Sequence, residues 1–295
     1  MTRSQVRVTS RLIGAVLIGV CCVLAMQWAK AGSSGARSSP PPPTVRSGTV
    51  PVLPAAFAAP DAPLSGRSTV FDGLPSVGAL FATDADGHST HHHSCTATAV
   101  ASPVGSIVVT AAHCLSDPAN GVPATPTAPV LFVPGYHDGV EPYGEWAADQ
   151  VLVDPHWAAD SDPDYDVAFV LVHRVGEPAE RLADVVGAQK LGFGRARPVA
   201  VGSVGYPIDT EKPVSCHNTL TARSATQSEF DCTGFQAGSS GGPMLADVDP
   251  ATGLGTLVGV IGGYQQGGDT PDVSYACAFG SAVQALYAQA VAAAS

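Results

Sequence analysis

A serine set among glycines is the feature of this sequence with the clearest chemical meaning. It lies in residues 238–243, GSSGGP, between two apolar stretches. Glycines let the backbone turn sharply and let its N–H groups converge on one point, where they can stabilise an oxyanion. Two serines compete for the reactive role. Ser240 follows a glycine by two positions and directly precedes Gly-Gly, whereas Ser239 does not, so we interpret Ser240 as the reactive serine.

Two further motifs supply the groups that a serine hydroxyl needs in order to act as a nucleophile. His113 follows an apolar run and precedes a cysteine in TAAHC, and Asp166 heads the apolar run DVAFV. An imidazole takes the hydroxyl proton, and a carboxylate holds that imidazole in the required tautomer. Asp164 competes for the acid role, but the acid directly before the apolar strand fits better. His113, Asp166 and Ser240 are therefore the candidate catalytic residues.

TAAHC, DVAF and GSSGGP, in the chain order His, Asp, Ser, resemble the trypsin/chymotrypsin-like serine peptidases. FDGLPSVGALF further resembles the first barrel strand of secreted bacterial trypsin-like and glutamyl-endopeptidase-like enzymes. The resemblance extends over about residues 70–290. It implies His113 as the general base, Asp166 as the acid that orients it, and Ser240 as the nucleophile. It also implies an oxyanion hole formed by the backbone N–H groups of Gly238 and Ser240.

Two departures from the animal enzymes bear on activation and specificity. Ser239 stands where they have an aspartate that pairs with a newly cut N-terminus, so activation by that ion pair is not expected. Gly234 stands where trypsin-like pockets have an aspartate, and residues 233–240 contain no acid, so cleavage after Lys or Arg is not expected. Gly262 and Gly263 are expected to form part of the pocket wall. The sequence favours a small or apolar residue before the cleaved bond.

The cysteines predict two disulfides, because paired cysteines oxidise in an exported protein. Five of the seven lie outside the N-terminal apolar segment. Spacing favours the pairs Cys95–Cys114 and Cys216–Cys232, and the resemblance supports the first of them as the bridge beside the histidine. Each closed loop would add roughly 3 kcal/mol of stability. Cys277 is left over in an apolar run, and we expect a buried, inert thiol.

The pattern of short apolar runs broken by Gly, Pro, Asp and Asn predicts an all-β fold. With the resemblance, it predicts two six-stranded antiparallel β-barrels joined near residues 183–198, followed by a C-terminal α-helix at 281–294, where apolar residues recur at helical intervals. The predicted strands are 77–83, 94–101, 106–110, 129–133, 146–153, 166–173, 198–205, 243–246, 255–264 and 273–279.

The N-terminal segment is predicted to direct export. Residues 1–31 combine three arginines, an apolar run and an Ala-Lys-Ala cleavage site, as a secretory signal peptide does. An uncleaved membrane anchor is the alternative, because 18 apolar residues approach the length that spans a bilayer. Residues 32–68 are rich in Pro, Ser, Gly and Ala and predict a linker or a propeptide, which leaves 69–295 as the peptidase domain. Either way, the domain is expected outside the cytoplasm.

The charge of the chain limits the kinds of molecule that it is expected to bind. Residues 68–295 carry seven basic and 24 acidic residues, and hence a formal charge of −17, which disfavours nucleic acid. We expect a polypeptide substrate, a monomer without stable membrane association after signal cleavage, and no cofactor or metal. A histidine cluster can bind metal, but a solvated loop is the favoured interpretation; the cluster comprises His88, His91, His92 and His93. The acidic run 160–166 lacks the glycine and terminal glutamate of an EF-hand loop.

The sequence is compatible with three functions. The first is a secreted serine endopeptidase that hydrolyses peptide bonds through a Ser-His-Asp triad and an acyl-enzyme. The second is a protease-like protein that only binds, which three intact candidate residues disfavour. The third is an esterase acting through the same triad, which the sequence does not distinguish from a peptidase with small substrates.

Overall fold

The computed structural model describes residues 64–83, 89–116 and 130–294, apart from the side chains of 89–91. These residues belong to one of the two units into which the chain divides, Gly48–Ser295. The predicted signal segment and residues 32–63 of the predicted linker lie outside the described residues, as do His88 and the side chain of His91. Among the helices of the described ranges, none has the length and apolar character needed to cross a membrane.

Six antiparallel strands close into a first β-barrel, in the order β2-β3-β4-β7-β6-β5. All four residues of β4 are buried, which explains why this part of the sequence is a continuous apolar run without alternation. The strands are β2 Val77–Thr83, β3 Ser89–Val100, β4 Ile107–Thr110, β5 Val130–Pro134, β6 Trp146–Val153 and β7 Ala168–Arg174.

A second six-stranded barrel follows, in the order β9-β10-β11-β14-β13-β12 and closed by pairing of β12 with β9. Two short strands extend it: β1 pairs with β10, and β8 runs parallel to β13. The strands are β1 Thr69–Val70, β8 Lys190–Leu191, β9 Val199–Gly205, β10 Val214–Ala222, β11 Gln227–Asp231, β12 Pro243–Ala246, β13 Thr256–Ile261 and β14 Val273–Ala278.

Helices are few in the described part of the chain. The α-helices are α1 Pro155–Asp160, α2 Leu182–Val186 and α3 Ser281–Ala293. The terminal helix α3 buries Val283, Leu286 and Ala290, whose spacing of three and four places them on one face. It packs on the first barrel, where the Tyr287 hydroxyl donates a hydrogen bond to the carbonyl of Ala101 (2.8 Å). The last helix of the chain therefore joins the two halves of the domain.

A single cluster of buried apolar side chains continues from one barrel into the other. It contains Val77 and Val109 of the first barrel together with Val204 and Val260 of the second, and Tyr206 directly after β9. Close-packed side chains transmit position accurately, because the interior leaves little free volume. The cluster therefore sets the distance and angle between the loops that the two barrels contribute to the site.

The predicted fold, two six-stranded antiparallel barrels with a C-terminal helix, is confirmed. Four strands were not predicted from the sequence pattern: β1, β8, β10 and β11. Polar residues interrupt β10 at Ser215, His217 and Asn218, so no apolar run marks it. Its seven paired positions with β9 are held by backbone hydrogen bonds, which form whatever the side chains are. The predicted domain boundary at 68/69 stays a prediction; the N–H of Ser68 donates to the carbonyl of Thr233 (3.0 Å).

Candidate active site

His113 lies in a 3-10 helical turn, Ala112–Cys114, directly after the buried strand β4. Its neighbour Cys114 is disulfide-bonded to Cys95 on β3, with the two Cα atoms 6.1 Å apart. The His113 side chain is 11% exposed. A buried strand on one side and a covalent bridge on the other thus hold the imidazole at the surface of a cleft.

Asp166 directly follows another 3-10 turn, Pro163–Tyr165, and lies two residues before β7. Its side chain is fully buried and accepts three hydrogen bonds. The donors are the backbone N–H of His113 (2.8 Å), Nδ1 of His113 (2.6 Å) and the backbone N–H of Gly263 (2.8 Å). Because a carboxylate oxygen accepts, Nδ1 carries the proton and Nε2 is left free to take one.

The competing acid Asp164 has a different environment. It is exposed, and its Oδ1 accepts a hydrogen bond from Nε2 of Gln227 (3.1 Å). Among the two acids weighed from the sequence, the structure brings only Asp166 into contact with His113. The preference for the acid nearest to the strand therefore agrees with the geometry.

Ser240 lies in the loop between β11 and β12 of the second barrel and lines the same cleft as His113. The loop is held by backbone hydrogen bonds from Gly241 to Ile261 (2.7 Å) and from Ile261 to Gly242 (2.8 Å). The Ser240 hydroxyl donates to the carbonyl of Gln266 (3.4 Å). Ser239 is buried, and within the described residues its hydroxyl has no hydrogen-bond partner. Of the two serines, only Ser240 lines the cleft.

The N–H groups predicted to form an oxyanion hole belong to Gly238 and Ser240. Within the described ranges, neither has a hydrogen-bond acceptor, so both remain available to a ligand. Gly238 adopts a φ of 95°, in the region that favours glycine, and a Cβ there would overlap the carbonyl of Tyr206. The glycine is therefore needed both for the turn and for the close approach of the two backbones.

The cleft that contains His113 and Ser240 has a volume of about 640 Å³. Apart from those two residues, its lining comes from two segments, one before the serine and one between β13 and β14. The lining residues of these segments are Phe235, Gln236, Ala237, Gln265, Gln266, Gly268, Asp269, Thr270 and Pro271. The second segment is not among the predicted site residues, although its polar, glycine-containing run QQGGDTP between two predicted strands indicates a loop.

The three glycines predicted to shape the specificity pocket are not among these lining residues. Gly234 faces the hydroxyl of Ser68, Gly262 faces Asp166, and Gly263 donates its N–H to Asp166 and faces the amide of Gln227. Two of the three glycines therefore lie behind the histidine–aspartate pair. Their effect on substrate preference stays a prediction.

The segment that contacts the Ser240 hydroxyl has an unusual backbone conformation. Gln265 and Gln266 have φ values of 52° and 50°, although neither is a glycine. Such left-handed conformations are uncommon for residues with a Cβ. The turn brings the Gln266 carbonyl toward Ser240, so this hydroxyl must leave that acceptor before it can bond to His113.

Cys277 and His93 are buried and have hydrogen-bond partners in the described structure. Burial raises the pKa of Cys277 well above its ordinary value, and its thiol donates to the carbonyl of Pro163 (3.3 Å), in line with the predicted inert thiol. His93 is buried, and its Nε2 lies 3.0 Å from the carbonyl of Thr210, whereas His92 is exposed. In the described ranges, the only group with metal-ligand spacing is His113 with Cys95 and Cys114, whose sulfurs are bonded to each other.

Both predicted disulfides are present, Cys95–Cys114 and Cys216–Cys232. We expect replacement of both cysteines of the first pair by alanine to lower the free energy of unfolding by about 3 kcal/mol, because the unfolded chain regains loop entropy. It should also lower kcat, since Cys114 adjoins His113. The matched control is alanine at Cys216 and Cys232. It should lose similar stability, measured by denaturant unfolding, but keep kcat at temperatures where the protein is folded; an equal fall in kcat would contradict the prediction.

Two closed, antiparallel six-stranded barrels followed by a C-terminal helix are the architecture of the chymotrypsin-like fold. One barrel contributes the histidine–aspartate pair, the other contributes the serine loop, and His113 and Ser240 line a common cleft. Comparison with protein-family models and with curated proteins found no match. Comparison with solved structures found many.

Two of the similar solved structures are proteases with 28% and 29% sequence identity to this chain. The protease Anisep from Arthrobacter nicotinovorans is 28% identical with a TM-score of 0.64, covering 76% of this chain and 99% of its own. The thermostable serine protease AL20 from an extremophilic microorganism is 29% identical with a TM-score of 0.61, covering 74% and 97%. A Glu endopeptidase shares the fold at 17% identity, with a TM-score of 0.59 and coverage of 76% and 96%.

The similarities to Anisep and AL20 confirm the resemblance to bacterial serine proteases and the enzyme class predicted from the sequence, a serine protease.

Proposed function

We propose that this chain is an exported serine endopeptidase in which Ser240 is the nucleophile, His113 the general base and Asp166 the acid that orients His113. The observation that carries the proposal is the fully buried Asp166 carboxylate bonded to Nδ1 of His113 (2.6 Å), at a cleft that Ser240 also lines. A buried aspartate with this partner keeps the imidazole in the tautomer that can accept a proton at Nε2.

In the proposed reaction, Ser240 leaves the carbonyl of Gln266 and gives its proton to Nε2 of His113 as its oxygen attacks the substrate carbonyl. The new imidazolium is stabilised by Asp166, which remains ionised. The substrate oxygen gains negative charge and accepts hydrogen bonds from the free N–H groups of Gly238 and Ser240. His113 then protonates the leaving amine, which leaves an acyl group on Ser240. Water, deprotonated by His113, releases that group and restores the serine.

Export is part of the proposal. The two disulfides of the domain support it, because disulfides persist in oxidising compartments and are rare in the cytosol. The signal-like residues 1–31 are consistent with the same location, whether the segment is cleaved or retained as an anchor. A polypeptide substrate and a monomeric state remain parts of this proposal.

Fluorophosphonate labelling tests the proposed nucleophile. The protein lacking its signal segment should be labelled covalently, and Ser240→Ala should lose all labelling, because the phosphorus reagent needs an activated hydroxyl. Ser239→Ala is the matched control, since its hydroxyl is buried without a partner in the described structure, and it should be labelled normally. Labelling that persists in Ser240→Ala would refute the assignment. A folded wild-type protein that is not labelled would favour the protease-like binding protein instead.

A further inference from the structure

Thr96 belongs to the first barrel, but its N–H and its hydroxyl form hydrogen bonds with the second barrel. It lies on β3, next to the disulfide-bonded Cys95, and is fully buried. Its backbone N–H donates to the carbonyl of Ser240 (2.8 Å), and its hydroxyl donates to the carbonyl of Gly238 (2.9 Å). The same hydroxyl oxygen accepts from the backbone N–H of Tyr206 (2.9 Å). One side chain thus contacts two separate segments of the opposite barrel.

The direction of each of these hydrogen bonds is determined by its partner. The Tyr206 N–H can only donate, so Thr96 Oγ1 must accept from it. The hydroxyl proton is then directed to the Gly238 carbonyl, which can only accept. The carbonyl of Thr96 accepts in turn from the hydroxyl of Thr110 (2.7 Å). Every polar group of Thr96 therefore has a partner, which is the condition under which a buried polar network holds its geometry.

These contacts fix the backbone on either side of the N–H groups of Gly238 and Ser240. The peptide that carries the Gly238 N–H is held on its other side, where the Ala237 carbonyl accepts from the N–H of Ile208 (2.8 Å). The peptide that carries the Ser240 N–H lies between the carbonyls of Gly238 and Ser240, and both of these are bonded to Thr96. The carbonyl of that peptide itself, that of Ser239, accepts from the N–H of Gly242 (2.9 Å). Thr96 therefore holds the two flanking peptides, and loss of its bonds would let them move and carry the Ser240 N–H with them.

We propose that the Thr96 hydroxyl is a positioning residue for hydrolysis: it holds the loop of Gly238 and Ser240 so that both N–H groups point at the site of the developing oxyanion. This inference rests on the function proposed above. Because Thr96 follows Cys95, which is bonded to the neighbour of His113, the base and the oxyanion donors share one anchor on β3. The geometry of the second barrel's loop is thereby tied to that of the first barrel's histidine.

The test compares hydroxyl-free and hydroxyl-bearing variants. Thr96→Val keeps the shape of the side chain, and we expect kcat to fall about 10²-fold with KM changed less than threefold, because misaligned donors weaken transition-state binding and leave ground-state binding largely intact. Thr96→Ser retains the hydroxyl and should stay within a few-fold of wild type. Thr96→Ala serves as the second hydroxyl-free variant if valine does not allow folding. All rates are normalised to active sites titrated with a phosphonate.

Thr98→Val is the matched control. Thr98 lies on the same strand and is fully buried, but within the described residues its hydroxyl has no hydrogen-bond partner. Removal of an unpaired buried hydroxyl should not lower the melting temperature of Thr98→Val, whereas Thr96→Val also loses two hydrogen bonds and should be less stable. A merely structural role of Thr96 would lower only that melting temperature and leave kcat per titrated site unchanged in both variants. Equal kcat in Thr96→Val and Thr98→Val would therefore overturn the proposal.

A second readout separates this proposal from the proposed function. Amide deuterium exchange in residues 236–242 should be faster in Thr96→Val than in wild type or Thr98→Val, whether or not the protein hydrolyses peptides. A wild-type protein with no hydrolysis would overturn the enzymatic proposal and, with it, the role of Thr96 in catalysis. Active wild type with unchanged exchange in Thr96→Val would overturn the positioning role alone.

Discussion

Replacement of His113 by alanine is expected to lower kcat about 10⁶-fold, the effect seen when a serine protease loses its general base. Without the imidazole, the Ser240 hydroxyl has no acceptor for its proton and remains a poor nucleophile at neutral pH. The rest of the cleft lining and the N–H groups of Gly238 and Ser240 are untouched, so KM should change little. The measurement is kcat and KM on a peptide substrate, with the active sites titrated.

The chain offers a control pair for this experiment. His173 and Asp149 also form a histidine–aspartate contact, with Nδ1 2.7 Å from the carboxylate. Both side chains are substantially exposed, at 39% and 51%, and neither lines the cleft. His173→Ala should therefore keep kcat and cost little stability, since exposed ion pairs contribute little. Residual activity in His113→Ala above about a thousandth of wild type would exclude the proposed role of His113.

Asp166→Asn is expected to lower kcat about 10⁴-fold. The carboxylate accepts three hydrogen bonds, two of them at Oδ2, from Nδ1 of His113 and the N–H of Gly263. An asparagine has one acceptor and one donor group in the same space. With its NH₂ at the Oδ2 position, Nδ1 must become an acceptor, and the proton then occupies Nε2, where it blocks proton transfer from Ser240. With the amide reversed, the NH₂ faces the backbone N–H of His113.

Either orientation leaves donors opposed in a fully buried site, so the variant should also lose stability. Steady-state rates at several pH values check the kinetic prediction, and chemical denaturation checks the stability. Asp149→Asn is the matched control and should change neither. If Asp166→Asn retained activity within tenfold of wild type, the orienting role of Asp166 would be wrong.

Much of the fold could be predicted because strands and the last helix leave periodic apolar signals. Ten of the observed strands fall on predicted runs, and α3 begins at the predicted Ser281. β10 could not be recognised, because its pairing rests on backbone hydrogen bonds while its side chains are largely polar. The two short strands β1 and β8, of two residues each, are too brief to show any periodicity.

The lining of the cleft could be predicted only in part. The loop around Ser240 could be predicted from its glycine-rich composition. Residues 265–271 reach the cleft through a turn in which the backbone of Gln265 and Gln266 is left-handed. A glutamine rarely adopts that conformation by its own preference, so the turn follows from how the segment between β13 and β14 packs. Asp269 is an acid at the cleft for the same reason: its run QQGGDTP indicates a loop, but not that this loop lines the cleft.

The candidate catalytic residues and the local backbone around them could be predicted from residues adjacent in the sequence. Glycines surround Ser240, a bridged cysteine follows His113, and an apolar strand follows Asp166. Such local preferences persist without the rest of the chain, which is why the candidates could be chosen from a single sequence. The anchoring by Thr96 is different, because its partners Tyr206 and Gly238 are 110 and 142 positions away. Contacts over that distance form only when two closed barrels pack through a shared core, and that packing is a property of the folded molecule.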